Sequence, residues 1–140
     1  MYRYTNTQAD TATPVFSQID SRSVTPLYAQ IATRIKVAIA AGDLAPGSGL
    51  PSVRQLASQL RINPATVVQA YRELEREGFV EMRQGAGTFV QEVPEKVKGA
   101  ERSEQAEALV RRMLEDASRL RIPPQDLRKA LLRLMDTGAA

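Results

Sequence analysis

The sequence predicts a mainly α-helical chain with one small β-hairpin, and three observations carry that prediction. From Leu27 to Glu77, apolar residues recur at helical intervals in three segments separated by turn residues. After Gly78 the period changes to two on either side of a glycine-rich tip. Beyond Gly99 helical spacing returns in two segments divided by Pro123-Pro124.

A length of 140 residues suits one compact domain with an appendage. There are 19 Lys and Arg against 16 Asp and Glu, a net charge of +3, and no Cys, His or Trp. Those absences exclude a disulfide framework, a zinc finger, a Cys/His dyad and a Ser-His-Asp triad. No apolar run is long enough to span a bilayer, and the polar start MYRYTNTQADTATP lacks the apolar core of a secretory signal. The expectation is a cytoplasmic protein that binds rather than transforms, with no cofactor, no metal and no membrane partner. A charge of +3 is too small to name that partner.

Residues 1–21, rich in Thr, Ser, Gln and Asp, read as a partly disordered N-terminal arm, in which Phe16 to Ile19 form a brief strand or a packing arm. The first helix starts after Pro26, with Leu27, Ile31, Ile35, Ala38 and Ile39 on one face, and ends at Gly42. A loop dense in breakers runs from Asp43 to Pro51. Ser52 caps a short second helix whose Val53, Leu56, Ala57 and Leu60 share a face. Arg61-Ile62 is the turn, Asn63 the next cap and Pro64 the first residue of a third helix that stops at Gly78. Phe79–Arg83 and Thr88–Gln91 form a hairpin around Gln84-Gly85-Ala86-Gly87. Two helices joined by a tight turn and followed by a hairpin make a winged helix-turn-helix, here over 22–92. Residues 93–99 read as a linker. Residues 100–140 carry an amphipathic helix to about Arg121 and a shorter one after the proline pair.

In the third helix Val67, Ala70, Tyr71 and Leu74 form the buried stripe. Ala65, Gln69, Arg72 and Arg76 then face outward, with Thr66 and Val68 on the shoulders. This set suits a major groove: Ala permits close approach, Gln pairs with adenine, Thr reaches a base or phosphate, and Val68 meets a thymine methyl. An ordinary solvated face is the alternative. The charge distribution favours DNA, because no acid occurs from Leu44 to Arg72 while Arg54, Arg61 and Arg72 fall within that run. Acids return in Glu73, Glu75 and Glu77, expected at the end pointing away from the groove. The helix starts at Ser52 and Asn63 offer free amides to phosphate, although each side chain is equally explained as a simple cap. At the wing tip Arg83 brings charge beside Gln84, and Gly85 and Gly87 allow a tight turn and close approach.

The run from Pro26 to Val90 resembles the GntR-family winged-helix domain nearly end to end. The resemblance rests on Pro46-Gly47…Leu50-Pro51-Ser52-Val53-Arg54-Gln55-Leu56-Ala57, on Asn63-Pro64-Ala65-Thr66-Val67…Ala70-Tyr71, and on Glu77-Gly78…Gly85-Ala86-Gly87-Thr88-Phe89-Val90. It implies that Arg54 grips a phosphate or base, that Asn63 to Thr66 read the groove edge, and that Gly85 enters the adjacent minor groove. Where the family often has a second Arg at the start of the recognition helix, Pro64 and Ala65 stand here, so base preference does not transfer. The short two-helix tail resembles the YtrA-like subfamily, in which such a tail serves dimerisation and regulators often sit beside ABC-transporter genes.

The tail stripe of Ala106, Val110, Met113, Ala117 and Leu120, widened by Leu109 and Leu114, is nearly heptad-spaced but short for an isolated pair. Leu127, Leu131 and Leu134 of the second helix would complete a four-helix arrangement across a two-fold axis. The competing arrangement folds both helices back on their own winged domain. The expected function is a sequence-specific transcriptional regulator, a repressor, binding an inverted-repeat operator in double-stranded DNA as a homodimer and controlling transporter genes. The alternative is a winged-helix module for protein or RNA contacts without operator specificity. An unidentified small-molecule effector, or the protein's own concentration, is left open as the switch.

Overall fold

In a computed structural model of the chain, the residues described are 15–16 and 19–138. Helices α1 (Leu27–Ala41), α2 (Val53–Leu60) and α3 (Pro64–Arg76) are followed by strands β1 (Val80–Arg83) and β2 (Gly87–Val90), then by helices α4 (Glu95–Arg119) and α5 (Pro124–Gly138). The fold is mainly helical with a two-stranded antiparallel sheet, as predicted. The chain divides into two units, Met1–Arg102 and Ser103–Ala140.

The core of the first unit lies where α1 and α2 pack on α3. Ile31, Ile35, Ala38 and Ile39 of α1, Leu56 and Ala57 of α2, and Val67, Ala70, Tyr71 and Leu74 of α3 are all buried. These are the apolar stripes that the periodicity marks, and each large aliphatic side chain so buried stabilises by about 1.5–3 kcal/mol. Val53 and Leu60 are only partly buried at the rim. Ser52 closes a full capping box with Gln55: the Gln55 amide donates to Ser52 Oγ (3.1 Å) and the Ser52 amide to Gln55 Oε1 (2.9 Å). Asn63 Oδ1 accepts from the Ala65 amide at 2.8 Å, with Pro64 opening α3.

In the wing, Val80 pairs with Val90, Glu81 with Phe89, Met82 with Thr88 and Arg83 with Gly87. The loop read as breakers adds a third edge. Gly49 bridges Phe89, the Leu50 amide donates to Thr88 O (2.8 Å) and the Val90 amide to Ser48 O (2.8 Å). The wing is thereby tied to the segment that leads into α2.

Two expectations change. Residues 93–99 are not an extended linker: Val93 belongs to the core and α4 begins at Glu95 rather than near Ala100. The cause is tertiary. Arg102 donates to Ala40 O at the end of α1 (2.9 Å) and to Glu95 (2.5 Å), and Glu101 is buried beside Lys36, so the first turns of α4 dock on the winged unit. At the N-terminus, Phe16 is buried in the core with Val15 and Ile19 against it, which is the packing-arm reading. Residues 1–14 and 17–18 of the expected arm lie outside the described residues.

The second unit is a helical hairpin turning through Leu120–Pro123. Ala117 is buried in it and Met113, Leu127 and Ala130 are half-buried, whereas no residue of α5 is fully buried.

Candidate nucleic-acid interface

Helix α3 presents its unburied side as a coherent surface because its other side is locked. Tyr71 is fully buried and donates its hydroxyl to Pro51 O at 2.6 Å, which sets α3 against the start of α2. The opposite face carries Ala65, Gln69 and Arg72, all exposed, with Thr66 and Val68 half-buried on the shoulders as the helical wheel requires. Pro64 and Asn63 at the helix start are exposed as well.

A concavity of about 670 Å³ runs along this face. Ala65, Val68, Gln69 and Arg72 line it, and so do Tyr28 of α1, Glu73 and Arg76. Tyr28 was not singled out by the sequence, because its spacing from Ile31 and Ile35 reads as core, to which it half belongs. Glu73, the first of the acids at the end of α3, lines the same concavity as Arg72. Its carboxyl is held below the ordinary range, first by its hydrogen bond with Glu77 and further by the ion pair with Arg76. The Arg76 charge is therefore balanced on the spot. By contrast, among the described residues Arg54, Arg61 and Arg72 have no ion-pair partner, and all three are exposed. That is the arrangement phosphate binding requires: fixed cations with no carboxylate to displace.

Arg54 is the second residue of α2, two past the Ser52 cap. The side chains of Ser52 and Asn63 are both occupied in capping. At α3 Pro64 has no N–H and the Ala65 and Thr66 amides donate back to Asn63, so the expectation of free amides at both helix starts holds only for Val53 and Arg54 of α2. In the wing, Gln84 and Gly85 are exposed at the tip. Arg83 is held in place, with Nε 3.1 Å from Glu81 and its guanidinium 4.5 Å from the centre of the Phe89 ring. Stacking of this kind fixes the side chain while leaving its edge in solvent.

The tail residues form a second surface. Ala106, Val110, Leu114, Leu120, Leu131 and Leu134 are exposed, Met113 and Leu127 are half-buried, and Ala117 is buried. Leu109 and Met135, which the helical spacing also selects, are exposed, and so is Leu132, which it does not. Among the described residues no helix is long and apolar enough to cross a membrane, and no cluster of His, Cys, Asp or Glu could hold a metal ion.

Two helices joined by a tight turn and followed by a paired wing define a winged helix-turn-helix. The family described as "Bacterial regulatory proteins, gntR family" matches residues 27–90, and the chain belongs to that GntR family. It is 51% identical over 75 residues to the HTH-type transcriptional repressor YtrA of Bacillus subtilis, a match covering 54% of this chain and 58% of that protein. Among solved structures, a GntR family transcriptional regulator from Listeria monocytogenes superposes with a TM-score of 0.62 at 28% identity, covering 79% of this chain and 96% of that one. YtrA from Sulfolobus acidocaldarius, a GntR-family transcription factor, gives 0.52 at 38% identity, covering 70% and 96%. The chain spans about three fifths of the length of the first curated relatives it matches.

Proposed function

We propose that this chain binds an inverted-repeat operator in double-stranded DNA as a homodimer and represses transcription in the bacterial cytoplasm. One observation carries the reading: among the described residues Arg54 of α2, Arg61 at the turn and Arg72 of α3 are exposed without an ion-pair partner, in the acid-free stretch that also holds Thr66 and Gln69. Arg54 and the first-turn amides of α2 neutralise phosphate, while Thr66, Val68, Gln69 and Arg72 enter the major groove. Pro64 and Ala65 let the backbone approach the base edges, and Arg83, Gln84 and Gly85 reach the adjacent minor groove.

The exposed apolar stripe from Val110 to Leu134 supports the homodimer, since burying it against a two-fold copy removes those side chains from water and builds a four-helix arrangement. Two linked winged units then gain avidity that one small module lacks.

The test is a binding series with Arg54→Ala and Gln69→Ala on duplexes selected from a random library. Arg54→Ala weakens binding to every duplex and lowers the slope of log K against log salt by about one. Gln69→Ala alters base preference at one position of each half-site, worth about 1–3 kcal/mol of discrimination. Normal binding by Arg54→Ala would show that the orientation is wrong. Genome-wide mapping of bound sites reads out the regulated genes, for which the family resemblance implies transporters.

A further inference from the structure

Four helices of this chain end with the same backbone closure. The amide after the corner residue donates to a carbonyl one full turn back: Asp43 to Ala38 (2.8 Å), Ile62 to Ala57 (3.0 Å), Phe79 to Leu74 (2.9 Å) and Ile122 to Ala117 (2.8 Å). This closure needs a left-handed φ at the corner. At the ends of α1 and α3 the corner is glycine, Gly42 at 87° and Gly78 at 85°. At the ends of α2 and α4 it is arginine, Arg61 at 57° and Arg121 at 60°. A β-carbon in that region crowds the following carbonyl, so glycine is the unstrained choice and arginine is held there against a local preference.

At Arg61 three further facts say what the side chain does. It follows Arg54 by seven residues, at the C-terminal cap of α2 immediately after Leu60. It is exposed and, among the described residues, has no ion-pair partner. It stands two residues before the cap of α3, in the middle of the stretch from Leu44 to Arg72 that holds no acid. Arg121 shares the strain but not the setting, because acids and bases alternate around it.

We infer that Arg61 is a phosphate contact in the DNA complex, made at the elbow of the helix-turn-helix in addition to that of Arg54, and that the strained corner is retained for this contact. The inference rests on the proposed reading of α2 as the helix that crosses the DNA backbone. Phosphate contacts are independent of sequence, so random-sequence duplex DNA is a sufficient probe.

Binding of a labelled random-sequence duplex is followed by fluorescence anisotropy over a salt series for the full chain and for R61G, R61K, R54A and R121G. R61G is expected to bind about five- to tenfold more weakly near physiological salt, with the salt slope reduced by about one. R61K, which keeps the charge, stays within about twofold of the parent. R121G, which relieves the same strain elsewhere, binds as the parent does. Thermal melting checks folding: R61G, with glycine at the corner, melts no lower than the parent. Parental binding by R61G while R54A is weakened overturns the inference and leaves the reading of α2 standing. Parental binding by both R61G and R54A overturns the two together. Equal weakening by R61G and R61K overturns the assignment to charge.

Discussion

The hydroxyl of Tyr71 donates to the carbonyl oxygen of Pro51 across 2.6 Å in the buried seam between α3 and the residue that leads into α2. One end of this bond lies on the helix that carries Gln69 and Arg72. The other lies immediately before Ser52 and Arg54. This buried hydrogen bond thus ties together the two surfaces proposed to meet base edges and phosphate.

Tyr71→Phe is therefore expected to cost about 1–3 kcal/mol, because the Pro51 carbonyl is left buried without a donor. Urea denaturation reads the loss as a lower midpoint with an unchanged slope. DNA affinity falls with it even though neither group faces solvent.

Lys36 links three elements of the winged unit. Its ammonium is 3.0 Å from Glu77 and 3.8 Å from Glu101, and it lies 5.8 Å from the centre of the Phe79 ring. Glu101 is only 8% exposed, so Lys36→Met leaves a buried carboxylate short of its countercharge. A loss of about 2 kcal/mol is expected. Adding Glu101→Gln to the same chain should recover part of it, and a double-mutant cycle in chemical denaturation measures the coupling.

Acid weakens the fold through carboxylates whose values are depressed. Glu95 lies below its ordinary 4.5, chiefly because Arg102 hydrogen-bonds it, and Glu73 is lowered first by Glu77 and then by Arg76. A depressed folded value means that the stabilisation is complete above the unfolded value and is lost as pH falls through the folded one. The melting midpoint should drop as pH is taken below about 4.5, with Glu95→Gln flattening the curve. Glu95 is exposed and Glu73 only half-buried, so the effect is small and shrinks further in high salt.

Leu131→Asp combined with Leu134→Asp places charge on the exposed tail stripe. Sedimentation equilibrium should then shift from twice the 15.4 kDa chain mass to once. Operator affinity falls by about 10²-fold or more as avidity is lost, while far-UV circular dichroism of the winged unit is unchanged. A chain that is monomeric before substitution would remove the homodimer from the proposal.

Most helices were legible because burial follows spacing: the stripes of α1, α2 and α3 are the residues the 3.6-residue period selects, and their ends carry Gly42, Ser52, Asn63 and Gly78. The hairpin was legible for the same reason with a period of two. The start of α4 was not. Residues Glu95 to Gly99 have no apolar stripe, and what makes them helical is the reach of Arg102 to Ala40 and of Lys36 to Glu101. The third edge of the wing was hidden as well, since main-chain bonds from Ser48 and Leu50 leave no mark on side-chain pattern.

By itself the amino-acid order determined the element types, the buried faces, the acid-free stretch from Leu44 to Arg72 and the family, because each depends on composition and spacing along the chain. Only the tertiary structure decided which charges remain unpaired. Glu73 balances Arg76, and Glu81 with Phe89 holds Arg83, whereas Arg54, Arg61 and Arg72 have no ion-pair partner among the described residues. The physical reason is range: an ion pair depends on distances of a few ångströms across folded elements, whereas a periodic pattern records only which way each side chain points.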